Sequence, residues 1–408
     1  MNVVGPRLDR WIEAITEQRA VVFAKRLAGN DTLLTKANQA GPYLPKPLLF
    51  AALPELDRPD TKNPRVKLPA RIESHGDQRQ INAIWYNEKL RGGTRNEARM
   101  TGFGGATSPL LDPENTGALT LFAFTRTPDG PFCSIWVCET LEEEERLEAY
   151  VGTVDPGRGV VWEPWSGSID HQLPKRAACE LSPSEIPTEW IDSFPSGAEV
   201  IAKTLQLLPG VALDPDKRLL QRRDCEFAVF RSIEQAITLP RIREGFDTME
   251  AFVDEAQTLL QRRKSRSGRS LELHVKAILA EEGLEAGRDF EYNVESDKGR
   301  RPDFLFPSQT AYRDPAFPTG RLAMLATKTT CRDRWRQVLN EAERISTKHL
   351  LTLQEGITER QFAEMTKSGI RLVVPAPLHR KFLAPIRPHL STVRDFIASR
   401  APVNSGQS

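Results

Sequence analysis

Residues 173–195 most constrain what this chain can fold into, because Pro174, Pro183 and Pro187 punctuate them and long apolar runs are few. Each proline fixes its own φ and withholds a backbone donor, so neither a helix nor a central strand continues through. A linker is expected over 173–195, joining a first domain of residues 1–172 to a second of residues 196–408. The length of 408 residues is enough for each domain to bury its own core.

The two halves differ in pattern. Short runs at 66–72, 80–86, 119–125, 133–138 and 159–162, separated by Pro and Gly, read as strands. Pro69 interrupts the first of them and makes it at best an edge strand. Residues 141–151 read as a helix: Thr140 can cap it, Glu143 follows three residues on, and Leu147, Tyr150 and Val151 share a face. A mostly β, barrel-like domain with one or two covering helices is expected. After the linker, 197–208, 216–238 and 270–282 read as helices. Strands at 290–294, 303–306, 322–330, 350–353 and 371–374 then alternate with helices, which predicts an α/β core.

Composition removes several classes. Hydrophobic content of 39% with 27% charged residues is ordinary for a soluble globular protein. No apolar run approaches the length of about 18 residues that spans a bilayer, so no membrane partner is expected. The first eleven residues lack the apolar core of a secretory signal. Five cysteines, Cys133, Cys138, Cys179, Cys225 and Cys331, are odd in number and form no CxxC pair. Reduced thiols in a cytoplasmic protein are the expectation. The net charge of +1 means that any nucleic-acid surface must come from local clustering.

One constellation carries chemistry. Asp303 begins a predicted strand, Lys328 stands near the end of the next, and Glu341 falls on a predicted helix over 332–345. Trp335, Val338, Leu339, Ala342 and Ile345 would form that helix's apolar stripe, with Glu341 at its border. Two carboxylates that converge with one lysine can hold Mg²⁺ through Asp303 and Glu341, while Lys328 orients a water and stabilises charge. That is the chemistry of phosphodiester hydrolysis. Taken singly, a helix glutamate is ordinarily just solvated.

Pro302-Asp303, then Lys328, then Glu341 resembles the PD-(D/E)XK nuclease superfamily, in the branch whose second carboxylate has moved to the following helix. Ala326 stands where that acid more often sits. Arg332-Asp333-Arg334 resembles the reader of enzymes whose sites end in CC and GG: arginine bonds bidentately to guanine, and a carboxylate accepts from the cytosine amino group. Together with KSRSGRSLELH (264–274), RPDFLFPS, LATKTTCRDRWRQ, HLLTLQEG and DPENTGALTL, these residues resemble the EcoRII-type restriction endonucleases over nearly the whole chain. The resemblance implies an N-terminal DNA-binding effector domain, a pseudobarrel, and a C-terminal α/β restriction-endonuclease-like domain that forms a homodimer. It also implies a host cytosine methyltransferase as functional partner. Tyr312 matches a tyrosine kept near the family's active site, although a buried structural tyrosine is the commoner case.

Further segments face DNA on this reading. Arg95, Glu97 and Arg99 repeat the guanine and cytosine chemistry from one face of an extended segment that also holds Asn96. By resemblance this is one arm of the effector clamp, opposite an arm running from Asn38 to Tyr43. Gly93 and Ala98 depart from that family, which shows basic residues there, so fewer backbone contacts are expected. The basic run 262–269, with Arg262 and Lys264, can neutralise phosphates or be a plain surface loop. Glu272 ranks below Glu341 as a supporting acid. The expected function is Mg²⁺-dependent double-strand cleavage of duplex DNA at a CCWGG-like site. The competing readings are a repair or mismatch nuclease with the same core, and a catalytically silent DNA-binding protein.

Overall fold

The computed structural model describes residues 4–35, 41–162, 179–210 and 213–400. The chain falls into two compact units: 1–171 with 354–362 and 380–387, and 172–353 with 363–379 and 388–408.

The first unit holds α1 (Val4–Glu17), α2 (Lys46–Ala52) and α3 (Leu141–Val151) beside eight strands. These are β1 (Val21–Arg26), β2 (Tyr43–Leu44), β3 (Arg65–Ile72), β4 (Asp77–Tyr86), β5 (Glu97–Thr101), β6 (Leu119–Thr127), β7 (Gly130–Val137) and β8 (Gly159–Trp162). They make one sheet in the order β2-β5-β4-β3-β7-β6-β1-β8, antiparallel except where β3 meets β7. Strand β6 shows why it needs cover on both sides. Leu119, Leu121 and Ala123 pack with Leu8, Trp11 and Ile15 of α1 and with Leu147 of α3. Phe122 and Phe124, pointing the other way, join Leu48 and Leu49 of α2. The capping box of α3 forms: Glu143 N donates to Thr140 Oγ1 at 3.3 Å, and Thr140 N to the Glu143 carboxylate at 3.1 Å. The expectation of an edge strand at Pro69 is corrected, since β3 lies inside the sheet. Its ladder with β7 starts at Ala70, so Pro69 withholds no donor from it.

The second unit opens with α4 (Thr188–Asp192), α5 (Gly197–Leu207), and two long helices, α6 (Pro215–Glu244) and α7 (Met249–Glu281). Then come β9 (Glu291–Tyr292), β10 (Phe304–Phe306), α8 (Gln309–Arg313), β11 (Ala323–Lys328), α9 (Trp335–Val338), β12 (Lys348–Thr352), α10 (Glu359–Lys367), β13 (Ile370–Val373) and α11 (Val393–Ala398). The sheet order is β13-β12-β11-β10-β9; β11, β12 and β13 run parallel, while β10 is antiparallel to both neighbours. Leu271, Val275 and Ile278 of α7 pack with Phe304, Leu325 and Leu351, and Phe396 of α11 joins the same core.

Three expectations change here. The helix over 332–345 shrinks to α9, because Ala342 adopts φ 46° and the chain turns instead. The basic run 262–269 lies within α7 rather than in a loop. Cys179 and Cys225 form a disulfide with Cα atoms 5.1 Å apart, so the expectation of five free thiols is wrong. Cys133, Cys138 and Cys331 are free and buried.

The C-terminal helix is tied down by one buried carboxylate. Asp216, at the start of α6, accepts from Val393 N and Ala376 N at 2.9 Å and from Arg394 N at 3.1 Å. Asp216→Ala strands three backbone donors and is expected to destabilise the chain by roughly 2–4 kcal/mol. Thermal unfolding checks this, and an unchanged melting temperature would refute it.

Candidate active site

Asp303 immediately precedes β10, and pairing of Phe304 with Leu325 brings it against the last residues of β11. One of its carboxylate oxygens, Oδ2, accepts from Thr327 N at 2.6 Å and from Thr327 Oγ1 at 3.0 Å. The Lys328 ammonium lies 3.7 Å from that same oxygen. The β11 backbone thus fixes the carboxylate while the next side chain supplies a positive charge. Both side chains stay partly open to solvent, at 22% for Lys328 and 16% for Asp303.

Glu341 arrives from a turn, and that turn is held at several points. Lys348, at the start of β12, is buried, and its ammonium donates to the carbonyls of Glu341, Ala342 (3.0 Å) and Ile345 (3.1 Å). Tyr312 is also buried; its hydroxyl donates to Asp297 at 2.9 Å and accepts from Arg344 N at 3.1 Å. Asp297 in turn accepts from Glu343 N at 3.1 Å. Tyr312 is therefore committed to the backbone that carries Glu341.

The Glu341 carboxyl is half-buried, and Oε2 has no hydrogen-bond partner. Desolvation pushes its pKa up to about 7, Asp303 adds to the rise, and Lys328 and Lys348 oppose it. The three groups expected to meet therefore share one electrostatic site. Glu272 of α7 belongs to it as well. Burial and the Asp303 charge raise its pKa, against Lys328, Arg269 and a 2.8 Å bond from the Tyr292 hydroxyl.

A divalent cation fits this donor set. An orphaned, half-buried carboxylate oxygen beside a second carboxylate is an environment that a cation relieves. Mg²⁺ characteristically takes one or two carboxylates and keeps several waters. Among the described residues no group of three or more His, Cys, Asp or Glu gathers into a fuller metal centre.

The other expected residues fall in different places. Arg332, Asp333 and Arg334 form the turn between Cys331 and α9, on the path from Lys328 to Glu341, and Asp333 is exposed. Arg262 is not on an open loop: its guanidinium lies 4.6 Å from the Phe194 ring centroid. Arg263 and Arg266 are engaged with Glu234 and Glu226 of α6, so two of the run's cations are neutralised internally. The Lys264 side chain and Asn38 lie outside the described residues.

In the first unit, Arg95 pairs with Glu97 at 2.8 Å and its guanidinium stacks 3.9 Å over Tyr86. Arg99 stacks at the same distance over Tyr43, its partner across the β2–β5 ladder. Asn96 Oδ1 accepts from Trp85 Nε1 at 3.1 Å and Lys46 Nζ at 3.0 Å. A recess of about 500 Å³ is lined by Tyr43, Lys46, Asn96, Glu97, Lys25 and Arg158. Sequence reasoning missed Lys25, Lys46 and Arg158, which are scattered along the chain. It also missed Lys348, whose one signal is a lysine opening the apolar run Leu350-Leu351.

Comparison with known proteins agrees across the whole chain. The family model described as the N-terminal part of restriction endonuclease EcoRII matches residues 16–165, and that described as the EcoRII C terminal matches residues 230–397. The Type II restriction enzyme EcoRII of Escherichia coli is 40% identical over 392 residues, 95% of this chain and 96% of that protein. Metal-depleted Ecl18kI in complex with uncleaved, modified DNA aligns over 54% of this chain and 84% of its own at 19% identity, TM-score 0.41. The UbaLAI restriction endonuclease B3 domain with cognate DNA covers 38% of this chain and 97% of its own at 19% identity, TM-score 0.27. Likenesses at such TM-scores decide nothing about the fold.

The raised pKa of Glu341 has a measurable consequence in metal-free protein. Below pH 4.5 the carboxyl is protonated in folded and unfolded chains alike. As pH rises through about 7 the folded chain must ionise a poorly solvated group, so stability falls. Glu341→Gln removes that loss. In EDTA, its melting temperature relative to the native chain is expected to be higher at pH 8 than at pH 5. An equal difference at both pH values would refute this.

Proposed function

This chain belongs to the EcoRII family of type II restriction enzymes, which are site-specific deoxyribonucleases, and from that premise we propose that it makes Mg²⁺-dependent double-strand breaks at a short CC…GG, CCWGG-like site. The observation that carries the mechanism is the unpartnered Glu341 carboxyl, which shares the electrostatic field of Asp303 and Lys328 at the end of β11. Asp303 and Glu341 would hold the ion, which when bound neutralises phosphate oxygens and lowers the pKa of water. Lys328 supplies a fixed positive charge to the attacking water and the scissile phosphate. Tyr312 acts through the turn that presents Glu341. This is the restriction-endonuclease-like core of the PD-(D/E)XK superfamily, with its second acid on the segment after the lysine.

Recognition divides between the units. Arg332, Asp333 and Arg334 read base edges next to the catalytic groups, and Arg95, Asn96, Glu97, Arg99 and Tyr43 grip a further copy of the site in the first unit, a pseudobarrel effector domain. Fork-shaped guanidinium groups flanking a carboxylate suit guanine and cytosine edges in the major groove. The effector domain restrains cleavage until it is itself occupied. Cutting both strands of a near-palindrome calls for a homodimer through the catalytic domain. A cognate cytosine methyltransferase shields the host genome.

Digestion of an unmethylated phage genome with Mg²⁺, followed by sequencing of the fragment ends, tests the reading. Discrete fragments that all end at one CC…GG site are expected; nicks at lesions would favour a repair nuclease, and intact DNA a silent binder. Lys328→Ala is expected to retain DNA binding in a gel-shift assay while cleavage falls on the order of 10²-fold or more. Unchanged cleavage by that variant would remove Lys328 from the chemistry.

A further inference from the structure

At the opposite end of β11 from Lys328, the second unit has a recess of about 510 Å³ that plays no part in the reading above. It opens beside Leu322 and Ala323, roughly 15–20 Å from Lys328 at about 3.3 Å of rise per strand residue. Register sets His349 of β12 beside Arg371 of β13, so their side chains rise from one face of the sheet. Arg400, just beyond α11, lines the same recess.

The charges here are unbalanced. Among the described residues neither Arg371 nor Arg400 has a carboxylate partner, and Arg400 Nε donates to the neutral Ser399 hydroxyl at 3.2 Å. Burial lowers the Arg400 pKa, as expected of a partly desolvated cation without a counter-charge. The His349 ring stands edge-on to Phe396, centroids 5.0 Å apart, and its buried Nδ1 has no hydrogen-bond partner. Burial, then Arg400 and Arg371, hold that ring's pKa down to about 4, while the Met324 backbone pulls the other way. The acid at the rim, Asp395, is turned to local work: its carboxylate accepts from Thr392 N at 3.2 Å to cap α11. Ser346, Thr347 and Ser391 add hydroxyl groups around the opening.

Two guanidinium groups and several hydroxyls around one hollow form a set of donors that lacks an anion. A guanidinium fork matches the oxygens of a phosphate in both charge and spacing. The volume lies in the range of small-ligand sites. We propose that this recess is a phosphate-binding site, held by Arg371 and Arg400, distinct from the cleavage centre. The phosphate comes either from a small free ligand or from the backbone of duplex DNA; the recognising chemistry is the same. The inference stands whether or not the chain cuts at a CC…GG site.

The test uses the full chain in two arms. Calorimetric titration with inorganic phosphate is expected to show saturable binding that weakens about tenfold or more in Arg371→Gln and in Arg400→Gln, as loss of a charge-assisted contact implies. Arg371→Lys, which keeps charge but loses the fork, should fall between. In the second arm, DNA affinity is measured across salt concentrations. If the phosphate belongs to DNA, each Gln variant lowers the slope of log K against log salt by about 1. An unaltered slope with lost phosphate binding assigns the site to a free ligand. Phosphate binding that is absent, or indifferent to all three variants, together with an unaltered slope, overturns the proposal.

Discussion

Lys348 turns its ammonium inward onto three carbonyl oxygens of the segment 341–345, at the foot of the strand beside β11. Burial lowers its pKa, and the Glu341 charge supports its protonated form. The turn it closes includes Ala342 in the left-handed region, a conformation that alanine resists and that persists only when its surroundings enforce it. Asp297, Tyr312 and Arg344 brace the same turn from the other side. The position of the second carboxylate thus depends on tertiary contacts rather than on local helix formation.

This arrangement explains why the acids of the site differ in character. Asp303 is fixed by a backbone amide and a hydroxyl and lies near an ammonium. Glu341 and Glu272 receive less: burial dominates both, and the charge on Asp303 raises each further. Burial leaves both Glu341 and Glu272 poorly compensated, so a positive species beside them would stabilise their charged forms.

Much of this was legible in the sequence, and the failures have physical causes. Asp303 and Lys328 flank apolar runs short enough to be buried strands, and the register of β10 with β11 then follows from the pleat. Glu341 was expected on a helix and lies on a turn instead. Trp335, Val338 and Ala342 do point inward at helical spacing, yet a buried lysine thirteen residues after Trp335, the first residue of α9, decides the backbone between them. The basic run 262–269 misled for the opposite reason. Its counter-charges, Glu226 and Glu234, sit on another helix some thirty to forty residues away, and no local pattern announces that pairing. The Cys179–Cys225 bridge, at a sequence separation of 46, is non-local in the same way.

In the first unit, packing limits which side chains the proposed DNA-facing surface can carry. Gly93 and Ala98 stand where the resembling family has basic residues, and simple counting would predict a weaker hold on DNA. In this chain neither position has room. A Cβ at Gly93 would come 2.9 Å from Glu88 Cβ and 3.2 Å from Glu88 O, and Ala98 is buried in the core with Leu44 and Met100. The cationic groups that remain are instead pre-arranged, since Arg95 and Arg99 each lie flat on a tyrosine ring. Stacking restricts a long side chain before any ligand arrives, so less rotamer entropy is lost on binding. On the proposed reading, a surface with fewer cations relies less on the phosphate backbone, and its affinity for DNA should fall less steeply with salt.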